Sequence, residues 1–300
     1  LDSVTDNTLV YNGTKQKPTL NLRYINEILT EGTDYKIVYI EDEDSEEEDP
    51  DGCVNAGTHT GKIVGIGEYG GEIEFEFTIR PRDISNVTFA IEDQEYIGSE
   101  IFPPVTGRDE GIDTELRPED FTIANAVSNK EIGTAIVTIE AAENSNYTGT
   151  KTAEFQIVAA DIGKEYMIVS DIEELWAYTG TEIEPELILE DSRRNPEGEA
   201  ISGRAGEFYV LEEGIDYDVA YDNDHIYPDE VTMTITGKGH YTGTLEKQFR
   251  ITASLEDAEI DPIPPQPYTG EEVEPELTVR LGEKVLIAGT DYVVRYSNNI

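Results

Sequence analysis

The 300-residue chain sets 65 acidic against 21 basic side chains, for a formal charge of -44, and holds a single cysteine. That field repels nucleic acid and anionic membrane surfaces, so neither is expected as a partner, and one thiol excludes an intramolecular disulfide. With 37% hydrophobic residues, 17 Tyr and 8 Phe the chain still has core-forming material, which describes a folded protein with an acidic skin.

In chain order, the first recurring element is Tyr-x-Gly with a Pro five residues after the Gly. It occurs as Tyr11/Gly13/Pro18, Tyr96/Gly98/Pro103, Tyr178/Gly180/Pro185 and Tyr268/Gly270/Pro275, at offsets of 85, 82 and 90 residues. An acidic-aromatic pair follows each: Asp34-Tyr35, Asp120-Phe121, Asp216-Tyr217 and Asp291-Tyr292. A second Tyr-x-Gly closes the pattern, with Phe at +8 and Ile at +10 from its Tyr. Its copies are Tyr69/Gly71/Phe77/Ile79, Tyr147/Gly149/Phe155/Ile157 and Tyr241/Gly243/Phe249/Ile251.

Between these anchors the apolar residues alternate, as strands require. Tyr35, Ile37 and Tyr39 share one face, as do Phe75, Phe77 and Ile79, and as do Val231, Met233 and Ile235. Gly, Asn, Asp and Pro punctuate the runs about every ten residues, and no stretch keeps a helical period. The expected fold class is all-β: tandem Ig-like antiparallel β-sandwiches of about seven strands each, in an extended array. Phe and Ile two residues apart point to one face of a closing strand. The Gly permits the chain reversal, and the Tyr before it is expected to bury its ring while its hydroxyl reaches a loop carbonyl. Tyr35, Phe77, Ile79, Phe155, Ile157, Tyr217, Phe249 and Ile251 are the expected members of three separate cores.

The repeat predicts units at 1–80, 81–158 and 159–252, the third with an insert at 190–207, and the first half of a fourth at 253–300. "RPRDIS" (80–85), "VAADIG" (158–163) and "TASLED" (252–257) read as short linkers, so neighbouring units should articulate little. Residues 253–300 lack the closing hairpin. Leu277, Val279, Leu281, Val285, Val293 and Val294 are therefore expected to lie uncovered, and proteolysis to begin around 252–260. With a short lead-in at 1–8 and no initiator Met, basic segment or apolar signal segment at Leu1, the chain reads as an internal fragment. The native protein is expected to continue past both ends.

"YTGTEIEPEL", "YTGEEVEPELTV", "AGTDYVVRYSNNI", "VNAGT" and "ITGKGHYTGTLEKQFRI" resemble the MBG-like bacterial immunoglobulin-type repeats of Gram-positive surface proteins. The resemblance covers nearly the whole chain. It implies an extracellular location at the bacterial cell surface or cell wall and a spacer or adhesive role, and it brings no catalytic residues with it. Repeat 2 departs from it with Phe121 and "KEIGT", and repeat 3 with "YPDEV" and the insert.

Several local motifs compete with bland readings. "GIGEYG" (65–70) matches a dinucleotide fingerprint, but it precedes a strand rather than a helix and reads as a hairpin. The acidic run 41–51 offers Asp42, Asp44, Asp49 and Asp51 to a weak calcium site, yet lacks EF-hand spacing and reads as a solvated loop. His59, His225 and His240 form no HxH or HxxxH pair. A metal site of His225 and His240 with Asp222 and Asp224 is the minor reading, and a surface role the major one. Cys53, beside the acidic run, is expected to have a raised pKa through like-charge repulsion. Trp176 reads as core in preference to a sugar-stacking platform. With 65 carboxylates, acid–base pairs arise by chance.

No catalytic, cofactor or metal residue is therefore assigned. The expected function is a non-catalytic stalk or spacer that presents other domains away from the cell. Its partners would be neighbouring Ig-like repeats in the same chain. The alternatives are a module binding host or cell-wall glycan or protein, with the three arginines of the 190–207 insert as its best candidate, and an accessory region of a surface hydrolase.

Overall fold

The computed structural model describes residues 9–25, 27–41, 48–201 and 207–300. These form strands and three short 3-10 turns, with no α-helix among the described residues. The chain folds as two compact units, Leu1–Tyr96 with Glu100–Val158, and Ile97–Ser99 with Ala159–Ile300.

A four-stranded sheet recurs three times. In repeat 1 its long strands are β1 (Tyr35–Ile40), β2 (Gly57–Gly65) and β3 (Glu72–Ile79). In repeat 2 they are β4 (Phe121–Val127), β5 (Gly133–Ala141) and β6 (Thr150–Val158). In repeat 3 they are β7 (Tyr217–Tyr221), β8 (Glu230–Gly237) and β9 (Thr244–Thr252). Each triplet is an antiparallel meander, with pairs such as Val231↔Phe249 and Val137↔Ala153 setting the register. A second, three-stranded antiparallel sheet joins Thr88–Ala90, Thr106–Asp109 and Thr114–Glu115 in repeat 2, and Met167–Val169, Leu189–Asp191 and Tyr209–Val210 in repeat 3. In repeat 3 side chains from both sheets share one cluster, Met167 and Leu189 with Tyr217, Met233 and Ile235, so the two layers form a sandwich.

The sandwich is not wholly antiparallel. The residues just before the opening Tyr-x-Gly run parallel to the closing strand: Gln94–Glu95 beside β6, and Leu175–Ala177 beside β9. Val10 and Arg80 form the matching parallel bridge in repeat 1. The Tyr N–H then donates to the residue just after the closing Ile, as Tyr11 to Arg80 (2.9 Å), Tyr96 to Val158 (2.9 Å) and Tyr178 to Thr252 (2.7 Å). This contact joins the first and last anchors of each repeat.

Residues within the expected linkers 80–85 and 158–163 take part in strand pairing. Arg82–Asp83 pairs in parallel with Tyr147–Thr148, and Ala160–Asp161 with Tyr241–Thr242. Ile84, Ala160 and Ile162 are buried because they alternate with polar neighbours on these short strands and turns. In "TASLED", Ser254 caps a 3-10 turn through Glu256 N–H (3.1 Å), while Leu255 is exposed.

All eight anchor residues are buried, from Ile79 at 0% to Tyr35 and Tyr217 at 5% exposure. Repeat 3 nevertheless divides its core. Tyr217 belongs with Met233, Ile235 and Leu189, whereas Phe249 and Ile251 gather with Val231 and Ile183. Half-buried Ile172 and Tyr221 touch both groups. Of the apolar residues in 253–300, Val285 and Val293 are exposed and Leu277 and Val294 half-buried. Val279 and Leu281 are buried, as inward residues of the sheet formed by Glu259–Ile260, Val279–Leu281 and Lys284–Leu286.

Candidate functional site

A recurring contact, not anticipated from the sequence, places the loop after the second anchor against the segment after the first. The residue five after the opening Tyr donates its N–H to that loop in every repeat. Gln16 bonds Cys53 O (2.7 Å), Ile101 bonds Asn129 O (2.7 Å), Ile183 bonds His225 O (3.0 Å) and Val273 bonds Asn299 O (2.8 Å). The constant +5 spacing was the main signal in the sequence, because the receiving residue is Cys53, His225 or, in two repeats, Asn.

What occupies that place decides the local chemistry. Asn129 and Asn299 close the contact with their own side chains, Nδ2 donating to Ile101 O (3.0 Å) and to Val273 O (3.2 Å). Cys53 closes it through its backbone, donating to Gln16 O (3.0 Å), while its buried Sγ lies 3.5 Å from Ile40 O. Burial first, and Glu41 and Asp49 second, push the Cys53 thiol up to about 12. The direction matches the sequence expectation, but desolvation is the larger cause and like charge the smaller.

His225 differs from the other three. Its ring stacks on Tyr221 at 4.1 Å, and Nδ1 lies 3.2 Å from Asn223 O. Nε2 is buried and has no hydrogen-bond partner. Around it stand Glu182 and Glu184, which flank buried Ile183, and the ligand-bearing atoms of all three lie within 4.8 Å of one another. Asp222 and Asp224, paired with His225 by sequence, instead accept from Thr232 N (2.9 Å) and Ile226 N (3.2 Å). His240 is not among this group.

His59 is not on the surface. It is 4% exposed, tilted over Phe77 at 5.4 Å, with Nδ1 3.0 Å from Glu41 O and Nε2 2.7 Å from Asn55 O. It faces inward on β2, where alternate residues reach the core. Residues 42–47 of the acidic run, with Asp42 and Asp44, lie outside the described residues. Asp49 pairs with Lys15, which holds its carboxyl below the usual range, and accepts from Asp51 N (2.8 Å). "GIGEYG" bends between β2 and β3, with no helix to face a phosphate. Trp176 is half-buried against the Phe249 cluster, its Nε1 donating to Glu173 O (2.8 Å).

Two arginines of the 190–207 insert, Arg193 and Arg194, turn inward. Arg193 forks onto Asp191, with Nε to Oδ1 and Nη2 to Oδ2 both at 3.0 Å, and lies 3.5 Å over the Tyr166 ring. Arg194 donates to Gly198 O (2.8 Å) and to Tyr241 Oη (2.6 Å), and covers Tyr209. The Asp191 carboxylate is fully buried and also accepts from Tyr241 Oη (3.2 Å), so charge and hydrogen bonds are matched there. The third, Arg204, lies outside the described residues. The Tyr241 hydroxyl thus meets a carboxylate and a guanidinium, not the expected loop carbonyl, and the Tyr147 hydroxyl is buried without a partner.

Within each unit the opening Tyr-x-Gly contacts the next repeat. Tyr11 meets Tyr147 edge-on at 5.7 Å, and Asn146 clasps repeat 1 by accepting from Ala56 N (2.7 Å) and donating to Asn55 Oδ1 (3.0 Å). A cleft of about 760 Å³ opens beside this clasp, lined by Ala56, Thr58, Glu140, Glu143 and Tyr147. In the second unit Tyr178 stacks on Tyr227 at 6.0 Å, and the Tyr227 hydroxyl accepts from Glu283 N (3.3 Å). A Cβ on Gly282, whose φ is +58°, would meet the Tyr178 hydroxyl at 2.7 Å, so a side chain there would push that ring aside.

No family model matches the chain, and no curated protein matches it. Among solved structures it is similar to surface layer protein SbsC, domains 4–9, at 14% identity over 79% of this chain and 42% of that one, with a TM-score of 0.20. The protocadherin GammaB4 extracellular domain aligns at 12% identity over 78% of this chain and 44% of that one, with a TM-score of 0.18. Protocadherin Gamma B2 extracellular cadherin domains 1–5 align at 11%, over 83% and 58%, with a TM-score of 0.19. The chain thus spans 42 to 58% of the length of these three. The fold assignment rests on the strand pairing itself. No helix among the described residues is long and apolar enough to cross a membrane.

Proposed function

We propose that the chain is a non-catalytic stalk or spacer of a bacterial cell-surface protein, built from MBG-like Ig-type repeats. In this reading the repeats run 1–80, 81–158 and 159–252, with a fourth beginning at 253, and their work is to hold other domains at a distance. The observation that carries it is the repeated joint within each unit. Tyr11 on Tyr147 with the Asn55–Asn146 clasp, and the Tyr178 and Tyr227 hydroxyls of repeat 3 against Gly282 and Glu283 of repeat 4, tie one repeat to the next. Buried Ile84, in the segment between repeats 1 and 2 of the first unit, leaves little slack there, which suits a spacer better than a hinged binder. The inward-turned Arg193 and Arg194 favour a structural insert over a ligand-binding one.

Small-angle scattering on the whole chain tests this. A compact body of this length has a radius of gyration of about 19 Å, and the spacer reading requires a clearly larger value that is independent of ionic strength. A compact value sinks it. Assays against glycoside, peptide and ester substrates should give background only. Turnover abolished by one carboxylate substitution would replace the spacer reading with an enzymatic one.

A further inference from the structure

We infer that Glu182, Glu184 and His225 bind one divalent transition-metal ion, of which Zn²⁺ is the representative. This site is independent of the spacer reading and would serve equally in a stalk or an adhesive module.

The inference starts from the imidazole. Nδ1 is within hydrogen-bond distance of Asn223 O, so in the neutral ring it carries the proton and leaves the Nε2 lone pair bare. Nε2 is buried and lacks a hydrogen-bond partner, and a ring nitrogen of His225 lies within 4.8 Å of a carboxylate oxygen of both Glu182 and Glu184. Two carboxylates beside a neutral imidazole concentrate negative potential at this place, which a divalent cation would offset. A carbonyl acceptor on the far ring nitrogen is also the usual support of a metal-bound histidine, since it fixes both tautomer and ring orientation. Stacking on Tyr221 immobilises the ring further.

The carboxylates are placed by the strand-like backbone. Glu182 and Glu184 are two residues apart on an extended segment, so both leave the side opposite buried Ile183 and beside Pro185. Ile183 N–H bonded to His225 O locks that segment to the histidine loop. Three ligands at bond lengths of about 2.1 Å lie at most ~4.2 Å apart. The 4.8 Å limit therefore asks only a small rotation of two exposed glutamates onto a fixed imidazole.

The other repeats supply an internal comparison. Glu272 and Glu274 stand in the same relation to Val273, but the facing residue is Asn299, whose amide is already bonded to Val273 O. Asn129 is likewise bonded to Ile101 O. Among the described residues, only at His225 does a side chain at this place leave a buried nitrogen or oxygen without a hydrogen-bond partner. One imidazole with two carboxylates suits Zn²⁺ and its first-row neighbours, whereas Ca²⁺ prefers an all-oxygen shell.

Titration calorimetry of the 300-residue chain with Zn²⁺, in a large excess of Ca²⁺ to occupy scattered carboxylates, tests the site. One saturable ion per chain is expected, with affinity lowered on the order of tenfold or more in H225N and in the E182Q/E184Q double variant. H225N copies the residue that two other repeats use at this place and suits the positive φ of 41°, and the two glutamates are exposed, so both variants should fold. H240N is the control and should bind as the parent does. In nitrogen-detected spectra of the histidine rings, Zn²⁺ should move the His225 Nε2 resonance. Equal Zn²⁺ affinity in parent and H225N, displacement by Ca²⁺, or no saturable binding would each overturn the site.

Discussion

At the scale of single residues, position relative to the sheets overrides residue type. His59 is polar yet 4% exposed because it sits at an inward position of β2, where each ring nitrogen lies within hydrogen-bond distance of a backbone carbonyl. Cys53 is buried in the same repeat, and its thiol is raised from 9.0 to about 12. The unfolded chain therefore releases this proton first, so stability present below about pH 9 falls as pH rises towards about 12. Tyr39, Tyr147 and Tyr241 are raised by burial and act in the same direction. The urea midpoint should drop between pH 8 and about 10.5, and iodoacetamide should label Cys53 at pH 8 only on unfolding. Rapid labelling of the native chain would show the thiol to be open. Phe249→Ala, at a residue 2% exposed between Val231 and Ile251, should cost about 3–5 kcal/mol in chemical denaturation.

At the scale of elements, the acidic-aromatic pair proves to be a turn lock. The Asp side chain accepts from the N–H four residues back: Asp34 from Thr30 (2.7 Å), Asp216 from Glu212 (3.0 Å) and Asp291 from Ile287 (2.7 Å). Asp120 makes the shorter version with Arg117 N–H (2.8 Å), since "RPED" there replaces the Gly-containing turn. Gly214 and its counterparts hold φ near +81 to +87°, which a side chain would strain. Asp216→Ala should cost more than Asp291→Ala. The first also strips the Tyr209 hydroxyl of its acceptor in a buried setting, and about 1–3 kcal/mol is expected there. Asp291 is exposed, so its loss should be smaller. Equal losses would mean that the turn, and not the buried bond, carries the effect. Asp recurs before the aromatic residue because one carboxylate oxygen can cap that turn. Sequence periodicity marked the position without giving its partner.

At the scale of the molecule, cooperation between repeats rests on a few side chains. Asn146 is 7% exposed and bridges to Ala56 and Asn55 across the first joint. Asn146→Ala should cost about 1–3 kcal/mol and uncouple repeats 1 and 2, so that hydrogen exchange shows β2 and β5 opening with different free energies. If both strands still open together, the clasp is not what couples them. The sequence by itself determined the all-β class, the period, the inward faces of β3, β6, β8 and β9, and the burial of the anchor residues. Local alternation and turn chemistry are properties of contiguous residues. Only the tertiary structure decided that "RPRDIS" and "VAADIG" carry core residues, that the opening segment runs parallel to the closing strand, and that Arg193 and Arg194 face inward. It alone brought Glu182 and Glu184 to His225, more than forty residues away in the chain. Pairing between distant segments is set by which strand edges and side chains remain to be satisfied once each sheet has formed, and no local pattern encodes that choice.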